Sequence, residues 1–132
     1  MSRQLMYFVK IHFLVCSLCV TTFVYGNESA LLQAAENNDT HTVNALLVDG
    51  VDVNVAQIDG ATALHWAAYW NEVELASALR AAGADVNVTN ELGVAPLSLA
   101  CRNGSHTMVA TLLAQGANPL TAEPSGETAL MT

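Results

Sequence analysis

Residues 59–87 read DGATALHWAAYWNEVELASALRAAGADVN, and the rest of the chain is built from copies and fragments of this stretch behind a leader. Gly60, Gly93 and Gly126 are spaced by 33 residues, and so are Leu64, Leu97 and Leu130, and Gly50, Gly83 and Gly116. Three series in one register define a repeating unit, and units of this length bury their apolar faces only by stacking on their neighbours. Within the unit, Thr62 can cap a helix through Tyr69, with Leu64, Ala67 and Ala68 as a small apolar face. Glu72 to Ala82 places Val73, Ala76 and Leu79 at helical spacing, and Gly83 follows as the left-handed residue that stops the helix. The unit is a helical pair with a glycine stop, which makes the chain all-α.

With T-A-L-H-W-A-A at Thr62 to Ala68 and G-A-D-V-N at Gly83 to Asn87, the unit resembles an ankyrin repeat, over roughly residues 29–132. The resemblance implies a solenoid of stacked helix-turn-helix units whose turns project sideways. Units are expected at about 29–56, 57–89 and 90–122, with a truncated one at 123–132. The first opens directly at a helix, and Glu36, Asn37, Asn38, Asp39 and Thr40 give it the polar outer face that a terminal unit needs. The second departs from the family at Ala63, where many members have proline, and at Arg80, where leucine is usual; the third has proline at Pro96. His65 reads as a structural hydrogen-bonding group within and between turns. Ser98 stands in its place one unit on and is expected to make part of the same network. Cys101 takes the place of Ala68 and reads as a small buried side chain, and Trp66 reads as packing. The fourth unit leaves Leu97, Val109, Leu112 and Leu113 beside a stub, so the expectation is a longer protein of which this is the front.

Ahead of the repeats, Arg3 and Lys10 precede an uncharged run, Ile11 to Tyr25, that is short for a membrane span. It ends in Val24-Tyr25-Gly26, so residues 1–26 read as a secretory signal cleaved before Asn27, leaving 27–132 as the repeat domain. An uncleaved anchor and a misplaced start codon are the alternatives. Cleavage removes Cys16 and Cys19, so Cys101 is the one cysteine of the expected mature chain. It also leaves Arg80 and Arg102 against twelve acids, a formal charge of −10. Such a surface repels phosphate backbones and anionic headgroups, which argues against nucleic acid and against a membrane surface, and it would steer in a basic protein. The plainer role of that charge is solubility. Sequons stand at Asn27, Asn38, Asn87 and Asn103. The resemblance makes Asn87 a turn brace that a glycan would disrupt, which favours a periplasmic or bacterially secreted location over a eukaryotic secretory route.

No residue pattern points to catalysis, a metal or a cofactor. Glu72 and Glu74 lie at a helix start, where carboxylates suit the dipole, and His41 and His106 lie near inter-helix turns without metal spacing. The expected function is therefore that of an exported, non-catalytic scaffold for a protein partner. The alternative is a targeting or regulatory front segment of a longer enzyme or membrane protein. Carried over from the family, the concave strip of turn tips and first helices comprises Ile58, Asp59, Ala61, Tyr69 and Trp70, then Glu91, Leu92, Val94, Arg102 and Asn103. Tyr69 and Trp70 beside Arg102 are the expected hot spot, because buried aromatics and arginine dominate interfaces; the plainer reading is that the two rings cover a neighbouring helix.

Overall fold

A computed structural model describes residues 26–120. The leader up to residue 25 and the truncated unit at 123–132 lie outside the described residues. The described part contains six helices: α1 (residues 26–36), α2 (Thr40–Val48), α3 (Ala63–Trp70), α4 (Val73–Ala81), α5 (Pro96–Arg102) and α6 (His106–Ala114). Helix α3 packs on α5, and α4 packs on both α2 and α6. The first helices of the units thus make one layer and the second helices the other. Extended turns link each pair to the next, with a lone antiparallel bridge between Ala56 and Thr62.

Several helix boundaries have a local cause. Helix α3 starts at the threonine expected to cap it, and α5 starts on Pro96, whose missing N–H costs nothing at a first helical position. Asp39 caps α2 by accepting from the Thr42 N–H at 3.0 Å, and Ser105 caps α6 by accepting from the Met108 N–H at 3.2 Å. The tight bend inside each pair requires a left-handed residue, supplied by Asn38 (φ 57°), Asn71 (φ 61°) and Gly104 (φ 66°) in successive units. Asparagine tolerates that region better than other residues with a side chain. Gly60 has a φ of 82°, and a Cβ there would stand 3.0 Å from the Asn90 Cα, so a side chain would be strained by the backbone and would press on the next turn.

A single apolar core joins the three pairs. Leu31, Val43, Leu64, Leu79, Leu97, Met108 and Leu112 are essentially inaccessible, and Ala34, Ala35, Ala67, Ala68 and Ala100 let the helices approach closely. Leu75, absent from the sequence reading of α4, is buried beside Ala76 and Leu79, whereas Val73 is only half-buried. Cys101 is likewise half-buried and packs at the edge of this core rather than inside it. Of the flank expected to lie beside the stub, Leu97 and Leu112 belong to the core, and Val109 and Leu113 are half-buried against it.

Polar stitching runs between units at the same period. Asn54 donates to the Gly83 carbonyl at 3.0 Å and accepts from the Asp85 N–H at 2.7 Å. Asn87 repeats both bonds, to the Gly116 carbonyl at 3.2 Å and from the Asn118 N–H at 2.7 Å. Asn38 donates to Glu72 at 3.3 Å, and one period later Ser105 donates to Asn71. The Asn54 and Asn87 bonds satisfy backbone groups of the next turn, and the other two tie side chains of successive units.

Candidate functional site

The turns that enter α3 and α5 are copies of each other. The Gly60 N–H donates to the Gln57 carbonyl at 2.9 Å, and the Gly93 N–H donates to the Asn90 carbonyl at 2.9 Å. The two tips are joined directly, the Glu91 N–H donating to the Asp59 carbonyl at 2.8 Å. Behind them, His65 is buried and locks the turns to α3. The Thr62 N–H donates to its Nδ1 at 3.1 Å, so the proton sits on Nε2, which lies 2.9 Å from the Val94 carbonyl and donates to it. Burial pushes the His65 pKa below its ordinary value, against a smaller opposing pull from the Val94 carbonyl bond and from Asp59. Its role is the structural one expected. Among the described residues Ser98 does not continue the network: it is buried, and its hydroxyl has no hydrogen-bond partner there. A serine side chain is too short to reproduce the reach of an imidazole, and Ala95 stands where Thr62 stood.

On the open side of these turns lie two adjoining hollows. The larger, an open groove of about 870 Å³, runs from α1 to the turn tips, between Glu28, Leu32 and Glu36 on one side and Gln57, Ile58, Asp59 and Glu91 on the other. The smaller, a notch of about 270 Å³, is lined by Asp59, Ala61, His65, Trp66, Tyr69, Asn90 and Leu99. Asp59 belongs to both.

Of the residues anticipated for a partner surface, Ala61 and Val94 are buried, and the others fall into three groups. Ile58 (99% exposed), Asp59 and Glu91 line the groove, and Tyr69 (50% exposed) lines the notch. Leu92 is 68% exposed on its turn, and Arg102 is exposed at the end of α5. Trp70 and Asn103, by contrast, are engaged in holding the stack together. Trp70 Nε1–H donates to the Glu36 carbonyl at 3.1 Å, and Asn103, one period later, donates to the Tyr69 and Ala68 carbonyls at 2.8 and 3.2 Å. Trp70 keeps 44% of its surface exposed, so it carries both a structural bond and a solvent-facing edge.

The sequence reading passed over two contributors. Trp66, taken for packing, packs on the core with part of its surface and forms a wall of the notch with the rest; its ring meets Tyr69 edge-on, with centroids 5.7 Å apart and planes at 81°. Gln57 accepts from Trp66 Nε1–H at 3.3 Å and donates to a Glu36 carboxylate oxygen at 3.1 Å, tying the notch to the groove. The available signal was position: Trp66 lies three residues before Tyr69, one turn back on the same helix face. Among the described residues no group of three or more His, Cys, Asp or Glu is placed to hold a metal, and no helix is long and apolar enough to cross a membrane.

Comparison with known proteins agrees with this architecture. The family model for ankyrin repeats in three copies matches residues 5–90, and that for a single ankyrin repeat matches residues 92–122. No curated protein matches the chain.

Proposed function

Since the chain belongs to the ankyrin-repeat family, a protein-interaction module, we propose that it is an exported, non-catalytic scaffold whose turn tips and first helices hold a protein partner. The observation that carries this reading is the exposure of Ile58 and Tyr69 on the walls of the two hollows. Large apolar side chains grouped around a concavity mark interaction surfaces, and aromatic residues supply a disproportionate share of binding energy. The four carboxylates of the groove, Glu28, Glu36, Asp59 and Glu91, favour a basic partner over an acidic one. Export rests on the composition of residues 1–26, with a periplasmic or secreted destination, and the acidity of the remainder is unsuited to nucleic acid.

Binding is tested on side chains that do not support the fold. Ile58→Asp and Tyr69→Ala together are expected to weaken capture of the native partner by at least about tenfold, in line with the loss of one or two interface anchors. Thermal unfolding should be nearly unchanged, because neither side chain belongs to the core. Undiminished capture by the double variant would place the partner on another face. Trp70→Ala is unsuitable for this purpose, since it also removes the bond to Glu36.

A further inference from the structure

We infer that the notch beside α3 is the seat for one cationic side chain, lysine or arginine, presented by a basic segment of the partner. The inference rests on the concave face being the partner surface and narrows it to one contact. At about 270 Å³, the notch has room for a single long side chain. Two of its walls are the rings of Trp66 and Tyr69, set at 81° to each other. An aromatic face attracts a cation through its quadrupole, most strongly for tryptophan. The indole N–H of Trp66 is already given to Gln57, and Gln57 is held in turn by Glu36. The ring is thereby fixed before any ligand arrives.

The charges around the notch select the cation over an apolar side chain of similar size. Asp59 stands on the rim with one carboxylate oxygen accepting the Ala61 N–H at 3.0 Å. An apolar occupant would strip water from that carboxylate and return nothing, whereas a guanidinium or ammonium replaces the lost hydration. Burial pushes the His65 ring in the lining toward its neutral form, which offers a cation no repulsion. The adjoining groove adds Glu28, Glu36 and Glu91 along the path of an extended segment, and the arginines of the described residues, Arg80 and Arg102, line neither hollow.

The test uses the full chain and a fluorescent peptide with two arginines around a leucine in a glycine–serine background, compared with the same peptide carrying citrulline, the neutral isostere. Fluorescence anisotropy is expected to show the arginine peptide binding at least about tenfold tighter than the citrulline peptide at low salt, with the difference shrinking as salt is raised. Asp59→Asn should weaken the arginine peptide about fivefold, and Tyr69→Leu, which keeps apolar bulk but removes the ring, about two- to fivefold. Equal binding of the two peptides, or no binding of either at about millimolar concentration, overturns the inference. So does unchanged affinity of both variants, which would assign the attraction to diffuse acidity. If the peptide fails this test while Ile58→Asp with Tyr69→Ala still abolishes capture of the native partner, the concave surface stands and the cation seat alone falls.

Discussion

Replacing His65 with leucine is expected to destabilise the repeat stack by about 2–5 kcal/mol, because it leaves the Thr62 N–H and the buried Val94 carbonyl without partners. Volume is nearly conserved, so the loss reports hydrogen bonds rather than a cavity. Urea denaturation measures it directly. The same residue sets a pH dependence whose sign follows from its lowered pKa. Between that native value and the ordinary 6.5, the unfolded chain binds the proton and the folded chain does not. Stability is therefore complete above 6.5, falls as pH drops through this window, and levels off below the native pKa. His65→Gln, which retains an acceptor and a donor but cannot titrate, should flatten that part of the curve. Asp39, whose carboxyl is lowered from 3.8 by its bonds to the Thr42 hydroxyl and N–H, loses its contribution only at lower pH. The histidine window is thus separable from it. A His65→Gln curve that keeps the wild-type slope below pH 6.5, down to the native histidine value, would assign the dependence to other groups.

Leu79→Ala carries the other large expected effect, about 2–5 kcal/mol by chemical or thermal unfolding. Leu79 is fully buried in α4, the helix that touches both neighbours in its layer. Removing its side chain opens a void in the core that the three helical pairs share. Nearest-neighbour interfaces hold a solenoid together, and net stabilities of small domains are only about 5–15 kcal/mol. The variant is expected to unfold cooperatively at a much lower temperature. Ile58→Ala, at a fully exposed turn tip, is the matched control and should stay within about 0.5 kcal/mol of the parent. A Leu79→Ala loss no larger than that of the control would mean that α4 does not bind the units together.

The repeat itself was legible because the physics recurs at fixed intervals. Leu64 and Leu97 occupy the same inaccessible site, and the stops at Gly50, Gly83 and Gly116 adopt φ values of 77°, 101° and 97°. Periodicity places a residue within the unit but does not say which way a side chain at a helix end will turn. The sequence left Trp70 as either a partner anchor or a cover for the neighbouring helix; it occupies the position of Asn103, and both donate to the last carbonyls of the preceding first helix. The equivalence emerges only once the donors and acceptors are in place, since tryptophan and asparagine share nothing in a hydropathy pattern. Trp66 was assigned to packing because an aromatic at helical spacing usually is. Its second role as a notch wall depends on how far the turns project over α3. Ser98 sits in the same register, but a hydroxyl has less reach than an imidazole, Ala95 stands in the place of Thr62, and the counterpart of Val94 lies outside the described residues.

The central claim is that a partner lies along the turn tips and first helices. Site-specific photo-crosslinking in the protein's own cells tests it, with benzoylphenylalanine placed in turn at Ile58 and at Val48, which is 86% exposed at the end of α2 in the layer of second helices. Both positions tolerate a large ring, and both are equally open to chance collisions. The account predicts a discrete heavier adduct from position 58 and none from position 48. Adducts of equal yield from both positions, or from 48 alone, would contradict it.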